Sequence, residues 1–114
     1  MSIHWPSIHW IVLLIAVFTE IAWALSLKAA QTNPGVLTIG ASIALTATNM
    51  LLLSFAMRGI PVGTAYAVWT GLGAVGVVAA GIILHADPLT LKRLAFMGVI
   101  IIGVIGLKLV GNEG

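Results

Sequence analysis

Polar residues in this chain fall into a few clusters, separated by apolar runs. Each run holds roughly 20 residues, enough for a helix rising about 1.5 Å per residue to cross a bilayer core. The first covers about residues 8–28. It ends before Gln31-Thr-Asn-Pro-Gly35, where Asn, Pro and Gly gather as in a turn. The second covers about residues 36–57. It is polar only at small residues and Asn49, and Arg58-Gly-Ile-Pro61 closes it. The third covers about residues 62–84, with His85-Ala-Asp-Pro88 as the next break. The fourth covers about residues 89–110. Its uncharged stretch, 94–107, is short, so it spans only if Lys92, Arg93 and Lys108 run their stems along the helix to water. The pattern predicts an all-α integral membrane protein, with residues 1–114 forming a single transmembrane domain of four helices.

Composition supports this. Only 7% of residues are charged and 61% are hydrophobic, against about 25% charged in a soluble domain. The absence of Cys removes disulfides and thiolate metal sites. The five Lys and Arg are too scattered for a nucleic-acid surface. Met1-Ser-Ile-His-Trp-Pro-Ser7 carries no Lys or Arg, and the first run reads as a mature helix rather than a cleaved signal. His4, Trp5, His9 and Trp10 read as interfacial residues. A metal site there is disfavoured, because His4 and His9 are five apart and do not share a helical face.

No cofactor is expected, and the chain is not expected to be an enzyme. The glycines of Gly71-Leu-Gly-Ala-Val-Gly76 lack the Lys-Ser/Thr of a phosphate-binding loop and lie within a span. With no soluble appendage expected after the last span, any transport is expected to follow a gradient.

The three acidic residues are Glu20, Asp87 and Glu113, and only Glu20 lies inside an apolar run. A carboxylate at mid-span costs on the order of 3 kcal/mol to insert, which marks it as a functional candidate; the competing reading is a paired or protonated structural group. Trp23 lies one turn from Glu20 on the same face. An acid beside an indole is a seat for an organic cation, with cation–π attraction of roughly 2 kcal/mol when desolvated. In the third helix, Tyr66 and Trp69 share a face: the Tyr hydroxyl is placed to donate to Glu20, and Trp69 to wall the site. Gly63, Gly71, Gly73 and Gly76 permit close helix approach or a kink. The structural alternative is small-residue packing with interfacial aromatics. Such a carboxylate can hold a proton or a cation, but not both well, and that competition suffices for exchange. Lys108 is read as snorkelling, with pairing to Glu20 as the alternative.

Four helices enclose too little volume for a sealed pathway, so an oligomer is expected. Arg58 and Lys108 fall on one side of the membrane, and Lys28, Lys92 and Arg93 on the other. So weak a bias sets no strong orientation, and dual insertion as an antiparallel dimer is consistent with it.

Three motifs carry a resemblance that covers almost the whole chain: Glu20-Ile-Ala-Trp23 followed by Lys28, Pro61-Val-Gly-Thr-Ala-Tyr-Ala-Val-Trp-Thr-Gly-Leu-Gly73, and Asp87-Pro-Leu-Thr90. With the length, the four short spans and the lone first-helix Glu, they resemble the small multidrug resistance transporters. Trp23, the run 63–71 and Lys108 look like the guanidinium-exporter subtype; the quaternary-ammonium subtype usually has a small residue at the place of Trp23. The resemblance implies an antiparallel dimer with one shared site. Glu20 of each protomer would bind proton or substrate in competition, Tyr66 would switch hydrogen bonds as access alternates, and Trp23 and Trp69 would line the pocket. Gly103 looks like part of the dimer contact. Asn49 departs from the pattern, standing where the guanidinium subtype typically has Ser. It is still able to bond Glu20, but it changes the pocket.

The leading expectation is therefore a proton-coupled antiporter exporting guanidinium or small guanidinyl cations across a bacterial inner membrane. One alternative is a broader exporter of quaternary ammonium compounds, held by Trp and Tyr faces. Another is a subunit that works only with a paralogue or other membrane partner, its polar residues acting as assembly glue.

Overall fold

The computed structural model describes residues 8–111. They form α1 (Ile8–Thr32), α2 (Val36–Ala56), α3 (Val62–His85) and α4 (Leu91–Gly111). All four are long and apolar enough to cross a membrane. His4, Trp5 and Glu113 lie outside the described residues.

The helix ends follow local chemistry. α1 continues past Lys28 through Ala29, Ala30 and Gln31, all good helix formers, and stops where Asn33-Pro34 disfavours helix. Pro61, with φ −51°, caps the start of α3, where its missing N–H costs nothing. Thr90 caps α4: its Oγ1 accepts the Arg93 N–H at 3.2 Å. α4 therefore begins at Leu91, after the Asp87-Pro-Leu-Thr90 turn. α3 ends on Ala86 in the left-handed region (φ 55°), and the Asp87 N–H turns back to the Gly81 carbonyl at 3.1 Å.

α1 is central. It packs most extensively on α2 and then on α3, while α4 packs on α3. Small residues let the backbones approach: Ala16, Ala56 and Ala65 are fully buried, together with Leu13 and Val68, and Leu53 is buried beside them. Ser26 and Ser42 bridge α1 to α2 through a hydroxyl–hydroxyl hydrogen bond of 2.8 Å. The described chain measures 50 × 35 × 19 Å. Its shortest dimension, 19 Å, is little more than half the next. The helices thus form a slab with broad apolar faces, on which Phe18, Leu51, Phe96 and Ile102 are exposed. Such faces are stable against lipid or another apolar surface.

Candidate functional site

Glu20 lies on α1 and turns its carboxylate onto the backbone of α3. A Cβ added at Gly73 would collide with the Glu20 carboxyl atoms, so the glycine opens the space the acid occupies. One turn before Gly73 on α3 stands Trp69, and one turn after Glu20 on α1 stands Trp23. Trp23 and Trp69 meet Asn49 of α2 around a cavity of about 40 Å³, completed by Thr46 and Met50. Sequence reading missed these last two. Thr46 lies one turn before Asn49, a spacing that places it on the same face; Met50 carries no comparable signal.

Three buried polar atoms have no hydrogen-bond partner among the described residues: Glu20 Oε1, Asn49 Oδ1 and Trp69 Nε1. Leaving such an atom unpaired costs about 1–3 kcal/mol, more for a charged group. Asn49 is 2% exposed, so its amide is committed to the interior. Two acceptors and one donor are thus held ready in the region where α1, α2 and α3 meet.

Tyr66 is exposed, and its ring packs against Trp69 at 5.6 Å between centroids. Within one chain neither its hydroxyl nor any other described group bonds Glu20 Oε1. Gly103 has open space about it, since an added Cβ would meet nothing within 4 Å. Lys108 places its ammonium over the Trp10 ring at 4.6 Å. Trp10 is ten residues before Glu20, about 15 Å along the helix, so Lys108 does not share the acid's seat within the chain. At the same end, His9 stacks on Phe55 at 5.3 Å, and the Arg58 guanidinium lies 5.6 Å from the same ring. A larger groove of about 320 Å³ runs between α1, α3 and α4; apart from Lys108 its lining is apolar or aromatic, and it holds no carboxylate for a cation.

A membrane-spanning slab with one carboxylate turned inward, beside an aromatic-walled cavity, has the form of a small membrane transporter rather than that of a soluble binding module. Residues 8–100 match the Small Multidrug Resistance protein family, and the chain belongs to it. It is a multi-pass membrane protein. Curated relatives include the guanidinium exporters of Citrobacter freundii and Salmonella typhimurium. Each is 49% identical over 104 residues, covering 88% of this chain and 95% of the relative. The guanidinium exporter of Escherichia coli strain K12 is 46% identical with the same coverage.

Proposed function

We propose that the chain, acting as a single transmembrane domain, exports guanidinium or small guanidinyl cations from a bacterial inner membrane in exchange for protons. The observation that carries this reading is the Glu20 carboxylate, held against Gly73 with a buried oxygen that nothing else among the described residues satisfies. A planar guanidinium matches a carboxylate through paired N–H donors. The buried Asn49 Oδ1 offers it a further acceptor, and the Trp23 and Trp69 rings offer π faces. The buried Trp69 N–H, unpaired among the described residues, is a donor available to orient the acid when the site closes on a cation. When a proton takes Glu20, the charge that holds the cation is gone, and the cation leaves. Proton and substrate therefore exclude each other at one group, which couples their opposite movements without a nucleotide.

The working unit on this reading is an antiparallel dimer, so that two Glu20 carboxylates share one site and Tyr66 of each protomer rearranges as access alternates. The thin slab and the near balance of basic residues between the two sides support it. The names of the relatives support guanidinium as cargo. The aromatic walls favour one second reading, a wider range that includes quaternary ammonium ions, which bind π faces without hydrogen bonds. Binding measured on purified protein in lipid nanodiscs separates the two. Guanidinium is expected to bind, to be displaced as pH falls, and to lose binding in Glu20→Gln. Binding of tetraethylammonium at comparable affinity, alongside guanidinium or in its place, would establish the second reading.

A further inference from the structure

Lys28 and Asp87 belong to motifs singled out in the sequence, yet cation exchange at Glu20 uses neither. They meet, with His85, at the rim of a cleft of about 220 Å³ between the ends of α1 and α3. Its apolar lining includes Leu25 and Val77, both half-buried, while Lys28, His85 and Asp87 are exposed. Asp87 is held there deliberately by the backbone. Ala86 adopts φ 55°, the Asp87 N–H bonds the Gly81 carbonyl at 3.1 Å, and the carboxylate folds down into space that a Cβ at Gly81 would fill. This sets a negative group beside the carbonyl end of α3, where the helix dipole favours cations. The conflict is relieved by a cation brought into the cleft. Lys28 and His85 offer N–H donors to an anion at the same rim.

We propose that this cleft binds the headgroup of an amino-phospholipid, with its ammonium on Asp87, its phosphate on Lys28 and His85, and the start of an acyl chain over Leu25 and Val77. A phosphoethanolamine group carries both charges, and its primary ammonium donates hydrogen bonds that a choline lacks. The position at the ends of two spans, above apolar side chains, selects a lipid over a soluble phosphoethanolamine.

Native mass spectrometry of the full chain tests this, with equimolar short-chain phosphatidylethanolamine, phosphatidylcholine and phosphatidylglycerol. Wild type is expected to retain the ethanolamine lipid roughly tenfold over the choline lipid, the worth of one charge-assisted hydrogen bond. Asp87→Asn is expected to abolish that preference, and Asp87→Glu to restore part of it. Lys28→Gln is expected to lower retention of all three lipids. Unchanged helicity by circular dichroism confirms that each variant is folded. Equal retention of the three lipids by wild type, or an ethanolamine preference that survives Asp87→Asn, overturns the proposal. Displacement of the lipid by soluble phosphoethanolamine at equal concentration also overturns it, assigning the cleft to a soluble ligand.

Discussion

The Glu20 carboxylate of α1 rests against Gly73 of α3, in space that any larger residue at position 73 would take. This contact ties the acid's position to a backbone rather than to a mobile side chain. Gly73→Ala is expected to displace the carboxylate and to cut guanidinium flux severely. Overpacking of this kind costs about 1–3 kcal/mol of stability. Gly76→Ala is the control, because its added Cβ meets the flexible tip of Ile21 instead. Flux in liposomes is expected to fall much further for Gly73→Ala than for Gly76→Ala at matched reconstitution. Equal losses would show that the glycines serve packing alone.

Asn49 is buried with an unpaired acceptor, so it is expected to trade stability for function. Replacing it by the near-isosteric Leu removes a polar atom that costs about 1–3 kcal/mol unpaired. Asn49→Leu is expected to raise the melting temperature in detergent while weakening guanidinium binding. Asn49→Ser keeps an acceptor in less volume and is expected to retain transport. A destabilised Asn49→Leu that still binds guanidinium normally would contradict this role.

Trp69→Phe separates the ring from its N–H. If the unpaired Trp69 N–H orients the acid in the occupied site, guanidinium binding is expected to weaken roughly tenfold, the worth of one charge-assisted hydrogen bond. Binding of a quaternary ammonium, which uses the π faces and the charge of the acid but donates no hydrogen bond to it, is expected to change little. Isothermal titration with both ligands checks the difference.

Gly103 opens away from its own chain, so a bulky residue there leaves the protomer undisturbed and would obstruct a partner in the proposed dimer. Gly103→Leu is expected to preserve helicity and to lower the cross-linked dimer fraction in membranes. An unchanged dimer fraction would move the contact elsewhere on α4.

Some of this was legible in the chain and some was not, for physical reasons. The spans follow from apolar runs long enough to cross a bilayer, interrupted at Asn33-Pro34, at Pro61 and at Pro88. A backbone in lipid has few alternatives to a helix. Family membership was legible in the motifs around Glu20, Tyr66 and Asp87, and the match over residues 8–100 shows it. Glu20 stood out because a charge within a span is costly. Helix spacing pairs residues on one helix, as it did Trp23 with Glu20. It says nothing of which face of α2 meets them, so Met50 carries no signal and Thr46 only its one-turn spacing from Asn49. Nor does spacing show that Gly73, among several glycines of α3, is the one beneath the acid. Such contacts depend on how α1 and α3 rotate against each other, set jointly by Ala16, Ala65 and Val68 in the core.

On the proposed mechanism, the Glu20 carboxylate exchanges a proton for a guanidinium ion. The most direct test of this exchange is proton movement in liposomes containing only this protein, under an imposed guanidinium gradient with no other driving force. Proton flux is expected opposite in direction to guanidinium, with none in Glu20→Gln protein reconstituted at the same density. Guanidinium-driven proton flux that persists in Glu20→Gln, or guanidinium movement in wild type with no proton flux, would contradict the mechanism.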